Sequence, residues 1–428
     1  MDKDTLLAPT LEEIHAATLD RFDWGIKALR TLISIDSISP NEKECQEALA
    51  DLLRAEGLPV ELLPLNDGTL PSVDGFVDTG LSLADRPNLV TSFGGVGEGG
   101  RSLILNGHID TVPWREQLDK WDFHPLSGEM SNGRLYGRGA MDDKGLVMAG
   151  VMAVLVLKDL GYQPAGKVTV TSVVGEEPSG NGTLALCSQG YLADAAIILE
   201  ATDNQVVYGH RGIIGMRYST LGEARHSSVG SELANPIVEA GRLASILDHA
   251  LDEWDDPTDH VYGRPSVNVG RISGGDDVFT TPQECQIEYG VRYAPGTYED
   301  ILEHIDQHIN RHAPSDMKSF EKVQSDIFAH YDAAEIDPGS PLVQSLLECI
   351  HLLEPEKTIT VFPGGCDARH LINRYHVPAV IFGPSKIHLA HAENEYLNLD
   401  QWQLAIQELA LFITRWCSGA PLPDKISK

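Results

Sequence analysis

The sequence has no long hydrophobic run. The longest, Leu146–Leu157, is too short to cross a bilayer, which takes about 20 apolar residues, and reads as a buried helix. Met1–Pro9 lacks a basic stretch followed by an apolar one, so no secretory leader is expected. Basic residues are scarce: 32 Lys and Arg stand against 63 Asp and Glu, a formal net charge of −31. Binding to phosphate needs a basic face, which excludes nucleic acid as a partner and argues equally against an anionic membrane surface. The plain reading of the charge is a solvated acidic shell, and some of the carboxylates remain available as metal ligands. Cysteine is sparse and scattered. Cys45, Cys187, Cys285, Cys349, Cys366 and Cys417 form no C-x-x-C pair, so they read as reduced, mostly buried thiols of a cytoplasmic protein, and a cysteine-ligated zinc is not expected. Internal repeats and low-complexity tracts are also missing.

What is present is an ordinary globular composition, 42% hydrophobic and 22% charged over 428 residues. That length exceeds one ordinary core, so two domains are expected. Residues 11–35 and 42–56 read as helices, broken at Ser39-Pro40-Asn41. Short apolar strands then alternate with helices: Arg101–Asn106, Lys167–Val174, Ala195–Leu199 and Pro378–Phe382. This alternation implies an α/β fold with a mixed, mostly parallel sheet flanked by helices. The middle of the chain differs. Strand-like Ile213–Leu221, a helix at Ala234–Trp254, strands at Ser266–Ile272 and Glu284–Tyr293, a helix at Tyr298–Arg311 and a strand near Phe320–Phe328 give the order β-α-β-β-α-β. That is a ferredoxin-like module, inserted at 210–330 into a domain made of 1–209 and 331–428.

The strand ends carry the chemistry. The first strand runs into Gly107-His108-Ile109-Asp110, the second into Gly175-Glu176-Glu177-Pro178, the third into Glu200, and His391 follows the fourth. Open α/β sheets bind ligands at the carboxyl ends of their strands, so His, Asp and Glu converge on one edge as a donor set suited to zinc, with cobalt or manganese also possible. In His108-x-Asp110 the two side chains point to one face, which fits a ligand and the carboxylate that orients it; taken alone, the pair also fits a surface or capping role. Asp142 and Asp143, in the glycine-rich stretch 137–145, fit either a helix N-cap or a carboxylate bridging two metals. Glu176-Glu177 fits either a solvated turn or a division of labour between a ligand and a base for water.

In order and at these positions, the segments NGHIDTVP (106–113), LYGRGAMDDKG (135–145), GEEPSGNGT (175–183), ILEAT (198–202), ARHSS (224–228), GGCDAR (364–369) and HAENE (391–395) resemble one family. It is the zinc amidohydrolase family of acetylornithine deacetylase, succinyl-diaminopimelate desuccinylase, aminoacylase, carboxypeptidase G and the carnosinase-type dipeptidases. The resemblance spans roughly residues 25–415. It implies two Zn2+ per chain, one held by His108, Asp142 and Glu200 and the other by Asp142, Glu177 and His391, with a cis peptide after Asp142. It implies Glu176 as general base and acid, Asp110 as orienter, and His226 as an oxyanion stabiliser reaching into a partner subunit. Arg292 and, more weakly, Arg369 are implied as binders of a substrate carboxylate; as a bland alternative, Arg292 fits a surface ion pair. The insert becomes a lid and dimerisation domain, and the expected activity is cleavage of an amide bond in a small N-acyl amino acid or related molecule. A dipeptidase or carboxypeptidase, and more remotely a non-catalytic ligand binder, are the alternatives. Three residues depart from the family pattern. Asp143 stands where many members have methionine, Phe279 where many have asparagine, and Cys366 where threonine or serine is common. By analogy all three are expected to face the substrate.

Overall fold

A computed structural model gives the structure and describes residues 8–66, 68–97, 99–228, 234–257, 259–314, 317 and 324–419. The chain divides into two compact units, one of Met1–Gly209, Ile336–Thr360 and Cys366–Lys428, the other of His210–Glu335 and Val361–Gly365.

The first unit is organised by the helix Lys144–Asp159, which is buried at every position from Lys144 to Leu157. A helix apolar on all sides must be covered on all sides. Here the helices Leu11–Ile33 and Leu399–Ser418 and the strand Leu103–His108 do so. A capping box starts the first of these helices, with Thr10 and Glu13 exchanging side-chain and main-chain hydrogen bonds. The break at residues 39–41 falls between that helix and Lys43–Ala55.

The sheet runs in the order Val60–Pro64, Pro87–Gly94, Lys167–Val173, Leu103–His108, Ala195–Leu199, Ala379–Phe382, Val206–His210. The four strands from Lys167–Val173 to Ala379–Phe382 are parallel, and antiparallel strands border them on both sides. The sheet is therefore mixed and mostly parallel, as expected. The first parallel strand lies two residues later than its apolar residues imply, because Gly107 and His108 continue the ladder opposite Ser172 and Val173. Gly107 faces the buried helix at a distance that leaves no room for a side chain: a Cβ there would lie 2.8 Å from Val147 and 2.4 Å from the Asp143 carboxylate. Alternation along the strand sends Ile104, Asn106 and His108 to the opposite face.

The second unit has a four-stranded antiparallel sheet in the order Ser266–Gly274, Glu284–Tyr293, Gly212–Leu221, Gln324–Tyr331. Burial alternates along Glu284–Tyr293, with Cys285, Ile287, Tyr289, Val291 and Tyr293 inward. Ile301, Ile305 and Ile309 of the helix Tyr298–His312, at a spacing of one helical turn, and Ala240, Leu243 and Leu247 of Pro236–Asp248 complete that core. Asn235 caps the latter helix by accepting from the main-chain N–H groups of Ile237 and Val238. The helix stops at Asp248, short of the expected Trp254. Of the strand expected near 320–328, residues 320–323 lie outside the described ones. All six cysteines are free and buried.

Candidate metal centre

The parallel strands deliver their chemistry to one edge. His108 is the last residue of its strand. Glu176 and Glu177 sit on the turn after Lys167–Val173, and Glu200 follows Ala195–Leu199 directly. His391 lies in the segment after Ala379–Phe382, in the left-handed region at φ +62°. Asp142 stands before the N-terminus of the buried helix, and its peptide bond to Asp143 is cis.

These side chains meet. The donor atoms of His108, Asp142 and Glu177 lie within 4.8 Å of one another, as do those of His108, Glu176 and Glu200. Asp142 turns one oxygen to each histidine: Oδ1 is 3.2 Å from His108 Nε2 and Oδ2 is 3.3 Å from His391 Nε2. His391 Nε2 is also 2.9 Å from Glu177 Oε2. The Glu176 and Glu200 carboxylates each reach 4.0 Å from His108 Nε2.

Asp110 does more than orient a ring. It is fully buried, with Oδ1 3.6 Å from His108 Nδ1, while its main-chain oxygen lies 3.0 Å from the same nitrogen. Its two carboxylate oxygens also accept the main-chain N–H groups of Glu176 at 3.1 Å and Glu177 at 3.2 Å. One carboxylate thus ties the first strand's ligand to the second strand's acidic turn.

The electrostatics fit a cation. Burial pushes the Glu176 and Glu200 carboxyls well above the usual carboxylate range, and neighbouring carboxylates push them further, Asp367 on Glu176 and Glu176 on Glu200. Burial and the charge of Asp142 raise Glu177 in the same way. Burial also acts against ionisation of Asp142, but its hydrogen bonds to His108 and His391 win and hold it low. Those from Asp142 and Glu177 push His391 up to about 10. Carboxylates crowded out of water need a countercharge. The oxygens and imidazole nitrogens of this set are ligands a divalent ion such as zinc accepts.

Residues 104–415 match the sequence profile of Peptidase family M20/M25/M40. The chain belongs to that family. It is thereby a hydrolase of amide bonds. It is 26% identical over 409 residues to a probable succinyl-diaminopimelate desuccinylase of Staphylococcus aureus (strain MSSA476), covering 88% of this chain and 93% of that one. It is 27% identical over 428 residues to N-formyl-4-amino-5-aminomethyl-2-methylpyrimidine deformylase of Bacillus subtilis (strain 168), covering 92% and 94%. The fold is similar to that of the di-peptidase Dug1p from Saccharomyces cerevisiae, with a TM-score of 0.75 at 15% identity over 96% of this chain and 99% of that one.

His226 and Arg292 belong to the second unit. His226 is exposed, with Nδ1 2.8 Å from the Ser228 hydroxyl. Arg292 points outward from its strand, and no ion pair of its guanidinium is found among the described residues. Arg369 is 3% exposed and donates to the carbonyls of Cys366 and Ser179. Its guanidinium thereby supports the turn that carries Glu176. Two of the three departures need correction. Cys366 is fully buried. Asp143 is fully buried too, and its carboxylate accepts the main-chain N–H of His108 at 2.8 Å, so it anchors a ligand and does not face a substrate.

Several supports went unread in the sequence. Arg138 and Glu395 lie inside the quoted GRGAMDDKG and HAENE segments without a role. Arg86 and Glu42 form a buried ion pair beside Ser39, whose hydroxyl lies 2.7 Å from Glu42 and 3.1 Å from Asp110. Asp367 accepts a 2.5 Å hydrogen bond from Thr183. No helix among the described residues is long and apolar enough to cross a membrane.

Proposed function

We propose that this chain is a two-metal deacylase that cleaves the acyl–nitrogen bond of a small N-acylated amino acid or amine. The observation that carries this is the Asp142 carboxylate, which turns one oxygen to His108 and the other to His391. The names of two curated relatives, a desuccinylase and a deformylase, support acyl removal over peptide cleavage.

His108, Asp142 and Glu200 would hold one ion, and Asp142, Glu177 and His391 the other, with zinc as the native metal and cobalt or manganese as substitutes. Bound divalent ions polarise the scissile carbonyl and acidify water. Glu176 takes the proton from the attacking water and returns it to the leaving nitrogen. Its carboxylate lies 4.0 Å from His108 Nε2, beside the proposed ligands, which suits a group that exchanges a proton with water there. Asp110 keeps the His108 ring and the Glu176 turn in place. His226 stabilises the oxyanion from the partner subunit of a homodimer, and Arg292 receives a substrate carboxylate. The strand Ser266–Gly274 supports the dimer: it ends its sheet and is mostly exposed, as an edge that another copy can cover.

Metal analysis and a substrate panel test the proposal. Purified protein should hold two equivalents of zinc, and chelation should abolish hydrolysis. N-succinyl and N-formyl compounds should turn over faster than dipeptides. Full activity after exhaustive chelation would refute the metal chemistry, and a preference for dipeptides would refute the deacylase assignment.

A further inference from the structure

The ion pair between Arg138 and Glu395 lies outside the ligand set, yet it touches the backbone of two ligands. Both residues are buried, Arg138 at 1% exposure and Glu395 at 0%, and Arg138 NH1 donates to Glu395 Oε2 at 2.7 Å. The other oxygen of Glu395 accepts the main-chain N–H groups of Met141 at 3.0 Å and Asp142 at 3.2 Å. The other arm of Arg138, NH2, donates to the carbonyl of His391 at 3.3 Å. Gly137 closes the loop by donating its N–H to the carbonyl of Glu395 at 3.0 Å. Two residues therefore connect the Asp142 turn to the His391 segment.

Stability alone is a poor reason for such a pair. Desolvating two charges is expensive, and apolar side chains of similar volume often serve a core as well or better. What the pair adds is direction, because a guanidinium–carboxylate contact fixes geometry as well as distance. His391 needs it. Its side chain is 56% exposed, so packing constrains it weakly, and its backbone sits in the left-handed region.

We infer that Arg138 and Glu395 are positioning residues that hold the Asp142 turn and the His391 segment in register, and so set the affinity of the second ion. That ion is the one assigned to Asp142, Glu177 and His391, and the inference rests on the two-ion reading above. Asp142 serves both ions, but His108 and Glu200 reach the first from strand ends that the pair does not touch, whereas Asp142 and His391 of the second both lie in segments it holds, so breaking the pair weakens the second ion more than the first. Supports of this kind are worth about 10–100-fold in metal affinity.

The test is a competition titration with zinc and a chromophoric chelator on the full chain, alongside the melting temperature of the metal-free protein. Wild type should bind two ions. Glu395→Gln and Arg138→Met should bind the second ion about 10–100-fold more weakly and the first with a smaller loss; both should also lower the metal-free melting temperature, because each strands a buried charge, so the difference between the two sites is the readout. Arg138→Lys, which keeps the charge but loses the fork, should fall between; it also supplies the readout if the harsher variants fail to fold. Wild-type affinity for both ions in the variants would overturn the inference. So would an equal fold-loss at both sites, which would make the pair a fold element without a preference for the second ion. A wild-type chain that binds a single ion would overturn the two-ion reading and the clamp with it.

Discussion

Replacing Asp110 by asparagine should damage the site and the fold together, by amounts that can be worked out from its contacts. The carboxylate is fully buried, accepts N–H groups from Glu176 at 3.1 Å and Glu177 at 3.2 Å, and lies 3.1 Å from the Ser39 hydroxyl. Asparagine keeps one oxygen. Its NH2 group then faces a main-chain N–H that needs an acceptor. Leaving that buried donor unpaired costs about 1–3 kcal/mol, and the surviving bond falls from the charged range of about 1.5–3 kcal/mol to about 1 kcal/mol. The expected loss is about 2–4 kcal/mol in the unfolding free energy of the metal-free first unit, read from urea titration. The same change loosens the turn that carries both glutamates, and displacements near 1 Å cost on the order of 10²-fold in rate. The hydrolysis rate of the metal-loaded variant should fall at least that far. An Asp110→Asn variant that unfolds within about 0.5 kcal/mol of wild type, the range of an ordinary surface change, and turns over at the wild-type rate would refute this account of the turn.

Three further outcomes are expected. Glu176→Gln should retain both ions and substrate binding while kcat falls by about 10²–10⁴, whereas Glu177→Ala should lose the second ion; the reverse pattern in metal analysis would exchange their roles. His226→Ala mixed with an inactive metal-ligand variant should recover part of the activity, and a fully active monomer in size-exclusion chromatography would contradict the trans role. Glu408 offers a stability test away from the metals. It is fully buried, and burial followed by the charge of Glu354 raises its carboxyl well above the usual range. A raised carboxyl stabilises the fold fully below its unfolded pKa of about 4.3 and loses that contribution as pH rises through the folded value. Glu408→Gln should therefore melt like wild type near pH 4 and above it at pH 8; equal melting temperatures at pH 8 would contradict the assignment.

The parts of the fold that were legible in the sequence are those where periodicity and burial agree. The apolar segments at 167–174 and 195–199 became central strands because both faces of a parallel sheet are covered. The register of Tyr298–His312 shows in Ile301, Ile305 and Ile309. Val60–Pro64 went unread because VELLP is partly exposed along its length and carries no clean alternation. His108, Glu176, Glu177 and Glu200 could be placed together because each ends or follows a strand, and strand ends share an edge. The outer supports could not. Arg138 and Glu395 are separated by 257 positions, and neither local period nor residue type links them.

The departures from the family pattern show where this matters most. Asp143, Phe279 and Cys366 look alike in the sequence, as three departures from the family pattern. In the structure, Asp143 and Cys366 are fully buried, and Asp143 spends its carboxylate on the His108 main chain. Only Phe279 is open, at 66% exposure, next to Val278 at 86%. Its main-chain oxygen accepts the N–H of Ser227, immediately after His226. A fully buried side chain acts through the groups it touches. Asp143 therefore acts on the reaction through His108, the ligand whose main chain it holds.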